Sequence, residues 1–246
     1  MISTEDRRAE IASNLEEVRR LIADACAEAG RDPGEVTLVA VTKTYPATDV
    51  LHLAALGVLD IGENRDQEAS VKSAQVAAAG VAVRWHFVGQ LQRRKCRSVV
   101  AYADLVHTVD GVRLATTLSD AATAHRDRIL DVLVQVSLDG DPDRGGATIG
   151  PSDPPDADRE FDRVVDAIAA SRTLRLRGVM AVAPLRMDAD QAFASLAEVS
   201  AQLRVGYPTA SVISAGMSGD LREAIANGAT HVRIGTALLG NRPQFR

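Results

Sequence analysis

Apolar positions Ile11, Leu15, Val18, Ile22 and Ala25 recur every three or four residues and predict one amphipathic helix from about Thr4 to Ala29. Ser3 and Asp6 are placed for a capping box, and Gly30 is its stop. The pattern then changes period. Glu35-Val36-Thr37-Leu38-Val39-Ala40-Val41-Thr42 is a nearly continuous β-branched run, as a parallel strand covered on both faces should be. It ends in Lys43, and Pro46 keeps the ladder from continuing.

From there strand and helix patterns alternate. Helix is expected over Asp49–Gly57, Gln67–Ala79, Arg93–Ala101, Gly111–His125, Asp158–Ala170, Asp188–Arg204 and Asp220–Asn227. Strand is expected over Val58–Gly62, Val81–Phe87, Leu105–Val109, Ile129–Ser137, Leu176–Val182, Ala210–Ser214 and Thr230–Gly235. Eight strands, each followed by a helix, imply parallel pairing with right-handed crossovers and favour a closed (β/α)8 barrel of the TIM type with an extra N-terminal helix. An open doubly wound sheet is the alternative. Its dinucleotide form would want GxGxxG after the first strand, where Thr44-Tyr45-Pro46 stands. The stretch Asp139–Asp156, dense in Asp, Gly and Pro, reads as a mobile, solvated insertion or a lid over the C-terminal face.

The 246 residues fit one barrel, and no linker divides them, so 1–246 is read as a single domain. A net charge of −5 with scattered Lys and Arg argues against a nucleic-acid footprint. The two cysteines, Cys26 and Cys96, lack CxxC or Cys/His spacing, which removes disulfide and zinc readings. The N-terminus has no signal-peptide core, and no apolar run is long enough to span a bilayer, so a cytoplasmic location without membrane contact is expected.

In a barrel, reactive groups stand just after the strands. Lys43 sits there. It is either a lysine reaching solvent from a strand end or an amine held for an aldehyde, since burial disfavours an ammonium and a neutral amine attacks a carbonyl. Asn64 and Asp110 stand on the same rim, though such residues also cap helices and close turns. His86 reads as a hydrogen-bonded barrel histidine. Ser214-Ala215-Gly216-Met217-Ser218 carries the seventh strand through a glycine turn into a helix start, and the eighth strand ends in Gly235-Thr236. Free N–H groups and hydroxyls there would suit a phosphate dianion. Arg233, two residues before Gly235, shares its face and either reaches the centre of this site or forms a buried ion pair.

Several motifs in one order carry a resemblance: Ala40-Val41-Thr42-Lys43-Thr44-Tyr45-Pro46, Gly62-Glu63-Asn64 with Gln67-Glu68, Trp85 to Gln92 with Lys95, Gly178-Val179-Met180, Gly216-Met217-Ser218 with Asp220, and Val232-Arg233-Ile234-Gly235. Together they resemble the pyridoxal phosphate homeostasis proteins, nearly end to end. Ala215, Arg94 and Leu239 depart from the residues usual in that family. The resemblance implies a fold-type III PLP barrel, like that of alanine racemase, without the C-terminal β domain. It implies that Lys43 is the Schiff-base lysine, that Ser214, Gly216, Met217, Ser218, Gly235 and Thr236 form the phosphate site with Asn64 nearby, and that Arg233 faces the pyridine nitrogen. An arginine donates but does not protonate, so the ring would be a poor electron sink. Pyridoxal 5'-phosphate is thus the expected cofactor, and vitamin B6 homeostasis by a non-catalytic carrier the expected role. The partners expected are other B6 vitamers, apo-enzymes and amino acids, with a monomer as the working form. No metal or catalytic residue is expected. Two enzymatic alternatives stand beside this: an amino-acid racemase, for which Tyr45 is the local candidate for a second acid–base group, and a barrel enzyme using Lys43 on sugar phosphates.

Overall fold

A computed structural model describes residues 4–141, 145–150 and 156–240. Eight parallel strands close into a barrel in sequence order. They are β1 (Thr37–Val41), β2 (Asp60–Glu63), β3 (Arg84–Phe87), β4 (Leu105–Val109), β5 (Leu130–Gln135), β6 (Leu174–Met180), β7 (Val212–Ser214) and β8 (His231–Ile234). The helices are α1 (Thr4–Glu28), α2 (Ala47–Ala55), α3 (Asp66–Ala78), α4 (Cys96–Tyr102), α5 (Val112–His125), α6 (Phe161–Ala169), α7 (Ala189–Gly206), α8 (Leu221–Ala226) and α9 (Thr236–Leu239). The barrel closes between β1 and β8 with Ala40 opposite Ile234, which brings the segments after Val41 and Ile234 side by side. None of the described helices is long and apolar enough to cross a membrane.

Helix α1 forms as its periodicity requires, burying Ile11, Leu15, Val18, Ile22 and Ala25. Each fully buried Ile, Leu or Val of this kind contributes about 1.5–3 kcal/mol. Gly30, at φ 65°, ends it, and the Arg31 N–H turns back to the Cys26 carbonyl at 2.8 Å. Ser3 of the expected capping box lies outside the described residues. The helix also secures the seam: Asn14 donates to the Leu238 carbonyl at 3.1 Å, and Arg7 donates to the Leu239 carbonyl at 3.0 Å while pairing with Asp49 of α2. It thereby fixes α9, which carries Thr236.

Several boundaries differ from the expected ones, those of β3 and α6 for local reasons. Strand β3 starts at Arg84 and not at Val81, because Val81 still closes α3 by donating to the Val76 carbonyl. Strand β6 begins at Leu174 and stops at Met180, two residues earlier than expected at each end. Helix α6 starts at Phe161 and not at Asp158, because Thr148 pairs with Glu160, and Asp158 accepts the Val112 and Arg113 N–H groups.

Of the stretch 139–156, residues 142–144 and 151–155 lie outside the described part. The solvated reading needs correction for Gly145, Gly146 and Ala147, which are buried. Ala147 donates to the Gln135 carbonyl at 2.7 Å, and the Arg159 guanidinium holds the Gly146 carbonyl. Glycines let this backbone lie where a side chain would not fit, since a Cβ on Gly146 would stand 2.6 Å from the Ser137 nitrogen.

The barrel interior is divided. Leu105, Leu133, Met180 and Val212 form a buried apolar cluster, while Asp60, His86, His107, Ser214 and Arg233 are buried polar residues of β2, β3, β4, β7 and β8.

Candidate functional site

At the C-terminal end of β1 the chain leaves the barrel in a tight turn. Thr44 takes φ 69°, unusual for a β-branched residue, and its N–H donates to Glu68 Oε2 at 2.9 Å while Tyr45 donates back to the Thr42 carbonyl. Beneath the turn, Lys72 of α3 donates to the Thr42 carbonyl at 2.7 Å and forms a buried ion pair with Glu63, whose Oε1 also accepts the Thr42 hydroxyl at 2.5 Å. Burial pushes the Glu63 carboxyl up, and Lys72 only partly opposes it. This anchor aims Lys43 into a cavity of about 430 Å³.

The cavity collects most of the expected residues. Lys43, Asn64, Met217, Ser218, Arg233, Gly235 and Thr236 line it together with Val41, Tyr45, Val88, Gly89, Val182 and Gly219. Two cationic side chains face it, and no carboxylate is among its lining residues. At one end the N–H groups of Ser218, Gly219, Gly235 and Thr236 donate to no acceptor among the described residues. That is a cradle for an anion. Met217 does not contribute its N–H, which the Asp220 carboxylate takes at 2.6 Å.

Ser214 and Gly216 do not line the cavity. Ser214 is fully buried below it, where its hydroxyl accepts from Arg233 at 2.7 Å and lies 2.9 Å from His107 Nδ1. Gly216 makes the turn at φ 90°, against Ala224, and its carbonyl accepts the Arg233 N–H. Gly89 permits a close approach: a Cβ there would stand 2.1 Å from the Asn64 carbonyl oxygen, so only glycine lets the segment after β3 pass the one after β2.

Arg233 is buried and pairs with no carboxylate within ion-pair distance among the described residues, which sets aside the ion-pair reading. Its guanidinium donates to Ser214 and, at 3.0 Å, to the Ala181 carbonyl. Burial lowers it to about 10, so it remains a cation at neutral pH. His86 is the expected hydrogen-bonded barrel histidine, with Asp60 and His107 each at 2.9 Å. Asp110 stands apart from this cavity, its carboxyl raised by burial and accepting the Gly146 N–H at 3.4 Å. Tyr45 lines the wall, but its hydroxyl donates to the Gly240 carbonyl at 2.7 Å.

The chain has three lysines. Lys72 is locked onto Glu63, and Lys95 stands 3.4 Å from Asp66 outside the cavity lining. Only Lys43 presents an amine to the cradle. Sequence reasoning missed Gly219, although it adjoins Ser218, and missed the apolar wall of Val88 and Val182. It also missed His107, which stands in the run Leu105–Val109 with nothing local to mark it.

The model of the alanine racemase N-terminal domain matches residues 8–243. A "Pyridoxal phosphate homeostasis protein" of Mycobacterium tuberculosis is 43% identical, the match covering 96% of this chain and 95% of that protein. The solved structure of PipY from Synechococcus elongatus with PLP bound is 31% identical, with a TM-score of 0.75 over 94% of this chain and 100% of that one. Alanine racemase from Corynebacterium glutamicum, at 16% identity and a TM-score of 0.66, shares the fold, and 61% of that chain is covered.

Proposed function

We propose that this chain, which belongs to the pyridoxal phosphate homeostasis proteins, holds pyridoxal 5'-phosphate covalently on Lys43 and passes it on. The carrying observation is the cavity itself, where one lysine and four N–H groups without a partner among the described residues converge with one buried arginine. The residues fit the group. Bound there, the cofactor supplies an aldehyde carbon that bonds to a primary amine and a phosphate that anchors it.

Lys43 provides the amine, aimed by the Thr42–Glu63–Lys72 anchor. Ser218, Gly219, Gly235 and Thr236 offer main-chain donors to the phosphate, with the Ser218 and Thr236 hydroxyls beside them. Ser214 is left out of this cradle, because its hydroxyl already serves Arg233. Asn64, Val88 and Val182 line the cavity and would wall the ring. Arg233 would offer the ring nitrogen a donor without protonating it. Because main-chain donors survive side-chain truncation, Ser218→Ala and Thr236→Ala should each weaken binding by about 1 kcal/mol, roughly fivefold. Equilibrium titration with the cofactor checks this, and complete loss in either variant would contradict the distribution.

The work proposed is storage and exchange of the cofactor with amines, other B6 vitamers and apo-enzymes, as a cytoplasmic monomer, with effects on amino-acid and keto-acid balance. Racemisation would need a base on each face of the substrate Cα and a ring able to accept electron density. Arg233 opposes the second need. Tyr45, with its proton given to Gly240, is poorly placed for the first. Incubation with L-alanine in deuterated water should therefore leave configuration and Cα proton unchanged. Sustained racemisation that vanishes in Lys43→Ala would favour the racemase reading.

A further inference from the structure

Below the cavity a line of buried polar groups crosses the barrel interior. Asp60 Oδ1 lies 2.9 Å from His86 Nε2, His86 Nδ1 lies 2.9 Å from His107 Nε2, and His107 Nδ1 lies 2.9 Å from Ser214 Oγ. Ser214 Oγ accepts from Arg233 at 2.7 Å. Five residues on five strands or their ends thus form one unbroken chain of hydrogen bonds.

Its ends fix its direction. An arginine only donates, and an ionised carboxylate only accepts. Burial alone would raise the Asp60 carboxyl, but hydrogen bonds from His86 and Arg84 outweigh it and hold the group below the usual carboxylate range. Burial, first, and the Arg233 guanidinium lower the His107 imidazole well below its ordinary value, and His231 is pushed down to about 4, first by burial. If each imidazole carries a single proton, every proton in the line has one place. His86 donates through Nε2 to Asp60, His107 through Nε2 to His86 Nδ1, and Ser214 through its hydroxyl to His107 Nδ1. That leaves a serine lone pair for Arg233.

We infer that Asp60, His86, His107 and Ser214 are positioning residues, a relay that fixes the Arg233 guanidinium as a donor toward the cavity. Two of its N–H groups are spent on Ser214 and the Ala181 carbonyl, and the guanidinium plane is set by them. Reversing the polarity would occupy both Ser214 lone pairs, one with His107 and one with Arg233, and leave the serine proton without an acceptor in this line. What Arg233 meets in the cavity rests on the function proposed above; the relay is a property of the cofactor-free protein and can be tested there.

The test is long-range proton–nitrogen NMR on the full chain labelled at histidine and arginine, without cofactor. His86 and His107 should each carry their proton on Nε2. Ser214→Ala should shift the Arg233 side-chain signals and speed their exchange with solvent, and Ser214→Thr should restore them. Asp60→Asn, four links away, should also move the Arg233 signals, and should move them no further once Ser214→Ala has cut the chain. Circular dichroism of each variant checks that it folds. A proton on His107 Nδ1, a doubly protonated His86, or Arg233 signals unmoved by Asp60→Asn in a folded protein would overturn the relay. Failure of the chain to bind pyridoxal phosphate, with these signals as expected, would count against the proposed function and leave the relay standing.

Discussion

Lys43→Ala is expected to abolish covalent capture of pyridoxal phosphate, and with it the visible absorption of the loaded protein. The loss should be complete because nothing can substitute. Lys72 cannot swing into the cavity without stranding Glu63, and Lys95 is engaged by Asp66. The fold should not suffer, since Lys43 is half-buried on a turn whose shape is set by Glu68 and by the Thr42 carbonyl. Cofactor should still enter this variant, held by the N–H cradle and Arg233, but it should be removable by dialysis. A variant that retained a borohydride-sensitive visible band would mean that another amine does the work.

The second large effect is expected from Lys72→Met, far from any contact with the cofactor. Removing one partner of a buried ion pair leaves the other charge uncompensated, at a cost of about 3–5 kcal/mol. Burial already raises the Glu63 carboxyl above its ordinary value, so the folded state binds that proton more tightly than the unfolded chain does. Stability from this group is therefore greatest at low pH and falls as pH rises through the folded pKa. Without Lys72 only the Thr42 hydroxyl opposes the upward push. The deficit of Lys72→Met should then be largest at neutral pH and shrink on acidification, and Glu63→Gln in the same chain should recover part of it. Denaturant melts at neutral and mildly acidic pH measure this. A loss under about 1 kcal/mol at neutral pH would place the anchor among exposed pairs and remove its role in aiming Lys43.

Much of the barrel was legible because parallel strands buried on both faces leave continuous apolar runs, and glycines such as Gly30 and Gly57 punctuate the helices. Lys43 was legible for a related reason: a charged residue ending such a run has one place to go. The period of two correctly put Arg233 and Gly235 on one cavity. Ser214 was placed at the phosphate site by its position at a strand end, which carries no depth: its hydroxyl is fully buried and engaged with Arg233 and His107. The Met217 N–H was lost to the cradle by a local capture, the Asp220 carboxylate, which no spacing rule distinguishes from a helix-capping aspartate. In the 139–156 stretch, composition suggested solvent where Gly145 to Ala147 are buried, because glycine serves an exposed turn and a tightly packed backbone equally well. The histidine relay was invisible for a different reason. Its members come from separate strands, and only barrel closure brings them into line.

The most direct test of the central claim is peptide mapping of the loaded protein after borohydride reduction. The expected result is a single phosphopyridoxyl adduct on Lys43, with Lys72 and Lys95 unmodified at one equivalent of cofactor. An adduct on Lys72 or Lys95, or no adduct on a folded protein, would contradict it.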